Sequence, residues 1–273
     1  MDFQFCKVER AGRLTVVTIN RPEVMNALHG PAHFELAQAI DAFAADERQS
    51  VLILTGAGER AFCAGNDLKY QAATGDMKRP PSGFAGLALR FDLTKPVIAA
   101  VNGLALGGGF EAVLACDIVV ASHTSRFGLP EPRVGMAAFA GGLHRLPRQI
   151  GYRAAMGMIL TGRQVAADEA LQLGLVNELA APTEVMSRAR AWAAQIMECS
   201  PVAVRASKDA VVRSLAFASE SEAISAQWSF QGLQELMTSD DIKEGPRAFA
   251  EKRKPRWAEP DDNTVEPARS SAG

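Results

Sequence analysis

The sequence predicts an α/β fold whose second half turns helical. Three observations carry that expectation: aliphatic and β-branched runs alternate with segments of helical spacing up to Gly141, strand signals become sparse beyond it, and the runs are continuous rather than alternating. Continuous runs of that kind belong to strands covered on both faces, which is how parallel sheets are built.

Taken in order, Leu14–Ile19 (LTVVTI) and Val51–Leu54 (VLIL) read as strands, with a helix over Pro31–Ala45 between them. The pattern recurs with Val97–Val101 (VIAAV) as a strand, Gly109–Cys116 as a helix and Ile118–Ala121 as a further strand. Ala73–Gly86 (ATGDMKRPPSGFAG) has neither period and is rich in Gly and Pro, so it reads as a mobile loop of the sort that borders a substrate. Helices are expected at Gly142–Ile150, Arg153–Leu160, Ala166–Leu173 and Pro182–Met197. Pro201 suits the first turn of another helix, apolar periodicity continues to Met237, and a last helix runs from Asp241 to about Glu251. The expected division is a core over 1–200, a helical lobe over 201–258 and a disordered tail over 259–273, where EPDDNTVEPARSSAG has almost nothing to bury.

Composition narrows the function. With 273 residues, 48% of them apolar and 22% charged, the chain is an ordinary globular one, long enough for a well-buried core. A net charge of −2 supplies no basic field for nucleic acid, so an anionic ligand has to be held by local groups. Cys6, Cys63, Cys116 and Cys199 are scattered without a CxxC pair, and the histidines show no ligand spacing, so reduced thiols and no metal are expected. The start MDFQFCKVER has no basic-then-apolar character and no apolar run reaches eighteen residues, which predicts a cytoplasmic protein without membrane partners.

Two segments carry candidate chemistry. Ala61–Leu68 (AFCAGNDL) follows the Val51 strand by a turn containing Gly56 and Gly58; its small residues suit close approach of a ligand to the backbone, though taken alone the segment reads as a plain glycine loop. Asn102–Asp117 (NGLALGGGFEAVLACD) ends a strand at an Asn-Gly turn and opens a helix with three glycines. Backbone N–H groups exposed at such a junction, with the positive end of the helix dipole, favour negative charge, although tight helix packing also explains a triple glycine. The dinucleotide spacing GxGxxG and the GK[ST] ending of a phosphate loop are both absent, as is GxSxG of serine hydrolases. Glu111, in the first turn of that helix among Phe110, Ala112, Val113 and Leu114, is either a dipole partner or a catalytic group. Glu131, between Pro130 and Pro132 in a segment expected to be rigid and non-helical, reads as surface when taken alone.

Taken together, AFCAGNDL, KPVIAAVNGLALGGGFEAVLACDI, FGLPE and TGRQVAADEALQLGLVNEL, in that order between about Val8 and Trp257, resemble the enoyl-CoA hydratase/isomerase, or crotonase, superfamily. The resemblance implies a spiral of repeated β-β-α units with a helical C-terminal lobe, assembled as a homotrimer or homohexamer. It implies an acyl-CoA thioester as substrate, with coenzyme A part of that substrate and no separate cofactor. By the same resemblance the backbone N–H groups of Asn66 and Gly108 form an oxyanion hole, which suits a thioester whose carbonyl oxygen gains negative charge. Ala64, Asp67, Leu68 and Lys69 would follow the pantetheine and adenine path. Relatives that add or remove water use two glutamates, and Glu111 and Glu131 occupy both places. By this resemblance their joint presence favours a hydratase or dehydratase, with a Δ3,Δ2-enoyl-CoA isomerase or another acyl-CoA enzyme of the family as the alternative.

The chain departs from the family pattern after Glu131, where GMAAFAGG puts Ala138 in place of the usual proline and Phe139 in place of a small residue. Phe139 either narrows the acyl pocket or packs in the core against the Gly141–Gly142 helix start. Ser239–Trp257 (SDDIKEGPRAFAEKRKPRW), like PSGFAG in the loop, resembles carnitinyl-CoA dehydratases in particular. There Lys252, with Arg253 and Lys254, either meets CoA phosphates across a subunit boundary or forms a solvated run.

Overall fold

A computed structural model describes residues 3–257; the expected tail over 259–273 lies outside the described residues. The chain starts with an antiparallel pair, β1 (Cys6–Ala11) and β2 (Leu14–Ile19), followed by helix α1 (Gly30–Ala45). Three β-β-α turns come next. They are β3 (Val51–Gly56), β4 (Ala61–Cys63) and α2 (Leu68–Thr74); β5 (Val97–Val101), β6 (Leu104–Leu106) and α3 (Gly108–Leu114); and β7 (Ile118–Ser122), β8 (Arg126–Gly128) and α4 (Gly142–Ile150). Then come α5 (Tyr152–Thr161), β9 (Gln164–Ala166), α6 (Ala167–Gln172), β10 (Glu178–Ala180) and α7 (Val185–Met197). The chain finishes with α8 (Pro201–Ser214), α9 (Glu220–Ala226), α10 (Gln231–Thr238) and α11 (Asp241–Ala250).

Each turn gives one strand to each of two sheets. The larger has the order β1-β2-β3-β5-β7-β10, parallel from β2 onward, and the smaller has the order β4-β6-β8-β9. The continuous apolar character of β3 comes from its place: Leu52 and Leu54 face a core shared with Leu36, Ile40 and Phe43 of α1, while Val51 and Ile53 face Val185, Ala189 and Ala193 of α7. Both faces are dry, so no polar alternation appears.

Several expectations are corrected here. Strands β9 and β10 lie beyond Gly141, where strand signals are sparse, and β4, β6 and β8 make a second sheet that no periodicity marks. Each of these five is three residues long, too short for a two-residue period to register. β1 is mostly polar and exposed because it is the edge strand of its sheet. The segment at Glu131, expected to be non-helical, is a single 3-10 turn over Glu131–Val134, since proline lacks an N–H that a first turn would not use. The loop expected over Ala73–Gly86 begins inside α2 and ends in a buried 3-10 turn, Phe84–Gly86. That turn is fixed to α1: the Ala85 N–H donates to His33 Nδ1 at 3.0 Å, and a Cβ on Gly86 would come within 2.5 Å of Ala37.

α8 is tied to the core by Lys208, whose ammonium donates to Asp117 Oδ2 at 2.7 Å and to the Lys95 carbonyl at 3.0 Å. No helix among the described residues is long and apolar enough to cross a membrane.

Candidate active site

Strand register builds the site. β4 pairs in parallel with β6 (Ala61↔Leu104) and β6 with β8 (Leu104↔Arg126, Leu106↔Gly128), so all three strands end at the same edge of the small sheet. The segments leaving these strands are therefore delivered side by side: Gly65–Asn66 after β4, Gly107–Gly108 after β6, and Pro130–Glu131 after β8. The two glycine loops touch. Gly65 has φ +99°, open to glycine and strained for other residues, and a Cβ there would stand 2.9 Å from the Leu106 carbonyl and 3.4 Å from the Gly108 nitrogen.

These three ends border a cavity of about 450 Å³ with a largely apolar wall that includes Met77, Pro80, Phe84, Leu89, Val134, Met136 and Phe139. A second hollow of about 310 Å³ adjoins it and shares Leu68, Met77, Val134 and Met136. Of the residues singled out in the sequence, Ala64, Asn66, Leu68, Gly108, Glu111 and Glu131 all line the larger cavity. Gly108 is the first residue of α3, so its N–H has no acceptor within its own helix. Both readings of the triple glycine hold together: Gly108 faces the cavity, whereas a Cβ on Gly109 would lie 2.1 Å from the Cys63 carbonyl.

Glu111 is 3% exposed, and its Oε1 accepts from the Gly142 N–H at 2.8 Å, so it is held by the start of α4 rather than by its own helix. Burial pushes its pKa up to about 7, and the charge of nearby Glu131 adds to this; the Gly142 hydrogen bond and the Arg145 guanidinium oppose it. Glu131 is also raised above the usual carboxylate range by burial, and its Oε2 is buried without a hydrogen-bond partner. Its other oxygen sits beside Gly107, 3.1 Å from where a Cβ would be. Two carboxyl groups of elevated pKa thus face one cavity next to two glycine loops. That arrangement suits proton transfer near neutral pH.

Asp67, Lys69 and Lys252 do not line the cavity. The Asp67 carboxylate caps α2 through the Tyr70 N–H at 3.1 Å and pairs with Arg21 at 3.0 Å. Lys69 is exposed on α2, and Lys252 is exposed at a left-handed position, φ +53°, just past α11. Its neighbour Arg253 is held by Glu244, at 2.6 and 3.1 Å, and by Glu251. Phe139 is 76% exposed and lines the cavity, which removes the core-packing reading; Ala138 is the buried one, against Gly142.

Sequence reasoning missed Arg79 and Arg133, the two cations in the cavity wall among the described residues, and the Phe84 ring beside Gly108. The loop composition at Arg79 gave no hint of direction. It also missed His33, fully buried, whose ring meets Phe84 edge-on at 4.5 Å between centroids and whose pKa burial lowers to about 2, keeping it neutral.

Comparison with known proteins places the chain in a family. A carnitinyl-CoA dehydratase of Salmonella arizonae is 41% identical over 256 residues, covering 92% of this chain and 97% of that protein. The solved structure of an enoyl-CoA hydratase from Mycobacterium marinum matches with a TM-score of 0.87 at 43% identity over 93% of this chain and 98% of the other. One from Mycobacterium tuberculosis matches with a TM-score of 0.87 at 42% identity over 94% and 99%. The sequence profile of the enoyl-CoA hydratase/isomerase family matches residues 9–260, and the chain belongs to that family, with its crotonase fold.

Proposed function

We propose that the protein is a hydro-lyase that adds water to a 2-enoyl-CoA thioester, or removes it from the 3-hydroxyacyl-CoA, with Glu111 and Glu131 as its acid–base pair. The observation that carries the reading is the convergence of these two carboxyl groups, both raised in pKa, on a cavity also lined by Asn66 and Gly108.

In hydration, the thioester oxygen accepts from the Asn66 and Gly108 N–H groups, which stabilise the negative charge developing there. Loss of one such donor would cost about 3 kcal/mol of transition-state stabilisation. Glu111, ionised, takes a proton from water as its oxygen attacks the β-carbon. Glu131, protonated, gives its proton to the α-carbon as the enolate collapses. The proton lost by one carboxyl is thereby matched by the proton gained by the other, and dehydration runs the same steps backwards. The isolated Glu131 oxygen supports its part, since a buried carboxyl oxygen without a protein partner is free to meet the substrate.

Ala64 and Leu68 border the pantetheine arm in this reading, with Asp67, Lys69 and Lys252 toward the adenine end, and coenzyme A enters only as part of the substrate. A homotrimer or homohexamer working in the cytoplasm is the proposed setting. The test is a spectrophotometric screen of enoyl-CoA esters, from crotonyl to branched and carnitine-derived forms, following the conjugated absorbance. Loss of that absorbance with a 3-hydroxyacyl product supports the reading; double-bond migration without hydration overturns it.

A further inference from the structure

Arg79 is one of two cations in the cavity wall that the proposed hydration does not use. It lies in the stretch between α2 and the Phe84 turn and is half-buried. Its Nη2 donates to the Asn66 side-chain oxygen at 2.5 Å and its Nη1 to the Lys78 carbonyl at 3.0 Å. Its guanidinium carbon lies 5.8 Å from the centre of the Phe84 ring, and that ring packs on Gly108 so closely that a Cβ there would be 2.3 Å away. The cation is therefore held in place on the wall beside the reacting centre.

Both hydrogen-bond partners of Arg79 are neutral, and no carboxylate among the described residues forms an ion pair with it. A guanidinium has five N–H donors, so most remain unused. The other cavity cation differs: Arg133 is exposed and ties its Nε to the Thr161 carbonyl at 3.1 Å. Burial lowers the Arg79 pKa and the charge of Asp76 opposes this without an ion pair between them, so a partly desolvated arginine with spare donors, fixed by neutral groups in a largely apolar wall, lacks a directly hydrogen-bonded carboxylate. The ligand can supply it.

We propose that Arg79 selects acyl groups ending in a carboxylate and disfavours those ending in a quaternary ammonium, so that this chain differs in substrate from its carnitinyl-CoA dehydratase relatives. A carnitinyl group carries such an ammonium, which like charge and desolvation set against Arg79, whereas a carboxylate at that place accepts two parallel N–H bonds from it. The inference deepens the hydro-lyase reading and rests on it for the orientation of the thioester. The same anionic chemistry has a second source in the CoA phosphates, and the test separates the two.

Binding is measured calorimetrically with saturated thioesters that cannot react: butyryl-CoA as neutral reference, glutaryl-CoA with a carboxylate, γ-butyrobetainyl-CoA with an ammonium, and free CoA. Turnover of crotonyl-CoA is followed separately, so failure of the hydro-lyase reading leaves the binding result intact. The expected result is glutaryl-CoA tighter than γ-butyrobetainyl-CoA by about tenfold or more. Arg79→Gln should reduce that ratio to within about threefold of unity, while Arg79→Lys should keep its direction. If Arg79→Gln weakens free CoA and all three esters equally, Arg79 reads phosphate and the proposal is overturned. An unchanged ratio in Arg79→Gln overturns it as well. So does a wild-type preference for the ammonium ester, which requires no variant to fold.

Discussion

Glu111 couples stability to pH in a direction that its burial fixes. A glutamate titrates near 4.5 in an unfolded chain and near 7 in this site. The folded state holds the proton more tightly, so this group's contribution to stability is fully present below pH 4.5 and is lost as pH rises through 7. At pH 8 the ionised, buried carboxylate costs about 3 kcal/mol. Glu111→Gln keeps the acceptor for Gly142 and removes the ionisation, so the variant should melt above wild type at pH 8, with the gap closing toward pH 4. Parallel melting curves across that range would show that Glu111 is not held out of water as described. Phe139 makes the opposite kind of prediction. Being 76% exposed on the cavity wall, its replacement by glycine should change stability by no more than about 1 kcal/mol. It should also shift kcat/KM toward longer acyl chains, by up to about 0.8 kcal/mol for each methylene newly buried. An unchanged length profile across acyl chains of four to ten carbons would show that the ring does not limit the pocket.

The site depends on how closely short elements approach one another. α3 starts against β4, and Gly109 is where backbone meets backbone: a methyl group there would stand 2.1 Å from the Cys63 carbonyl, with no flexible side chain to give way. Gly109→Ala should therefore destabilise by about 1–3 kcal/mol and reduce turnover by moving the Gly108 N–H away from Asn66. A variant with unaltered melting temperature would mean that α3 can slide, contrary to this packing. The elements also show what a sequence reader can and cannot see. β2 and β5 fall where their continuous apolar runs put them, because both strands are buried along almost their whole length. The small sheet was invisible to periodicity because β4, β6 and β8 have three residues each, yet it is this sheet that aligns Asn66, Gly108 and Glu131. Those residues were legible through motif order instead. Arg79 was not, because nothing in a Gly- and Pro-rich loop says which of its side chains turns inward.

For the whole molecule, the two sheets and the helices over them explain the division between a long apolar first half and an amphipathic remainder. The stretch from α8 through α11 carries large apolar side chains at the surface, among them Val211 and, just past α8, Leu215 at 65 and 67%, Trp228 between α9 and α10 at 62% and Phe249 at 87%. The proposed assembly would cover such side chains, and it should appear in light scattering as three or six times the 29.1 kDa chain; a stable single-chain mass would contradict it. The proposed mechanism has two carboxyl groups share the proton traffic of one hydration. Its most direct measurement is kcat for crotonyl-CoA hydration, beside the Kd of butyryl-CoA, in wild type, Glu111→Gln and Glu131→Gln. Wild type should be active, each variant should lose about 10²–10⁴-fold in kcat, and ester binding should stay within a few-fold of wild type. Near-normal turnover in either variant would contradict it.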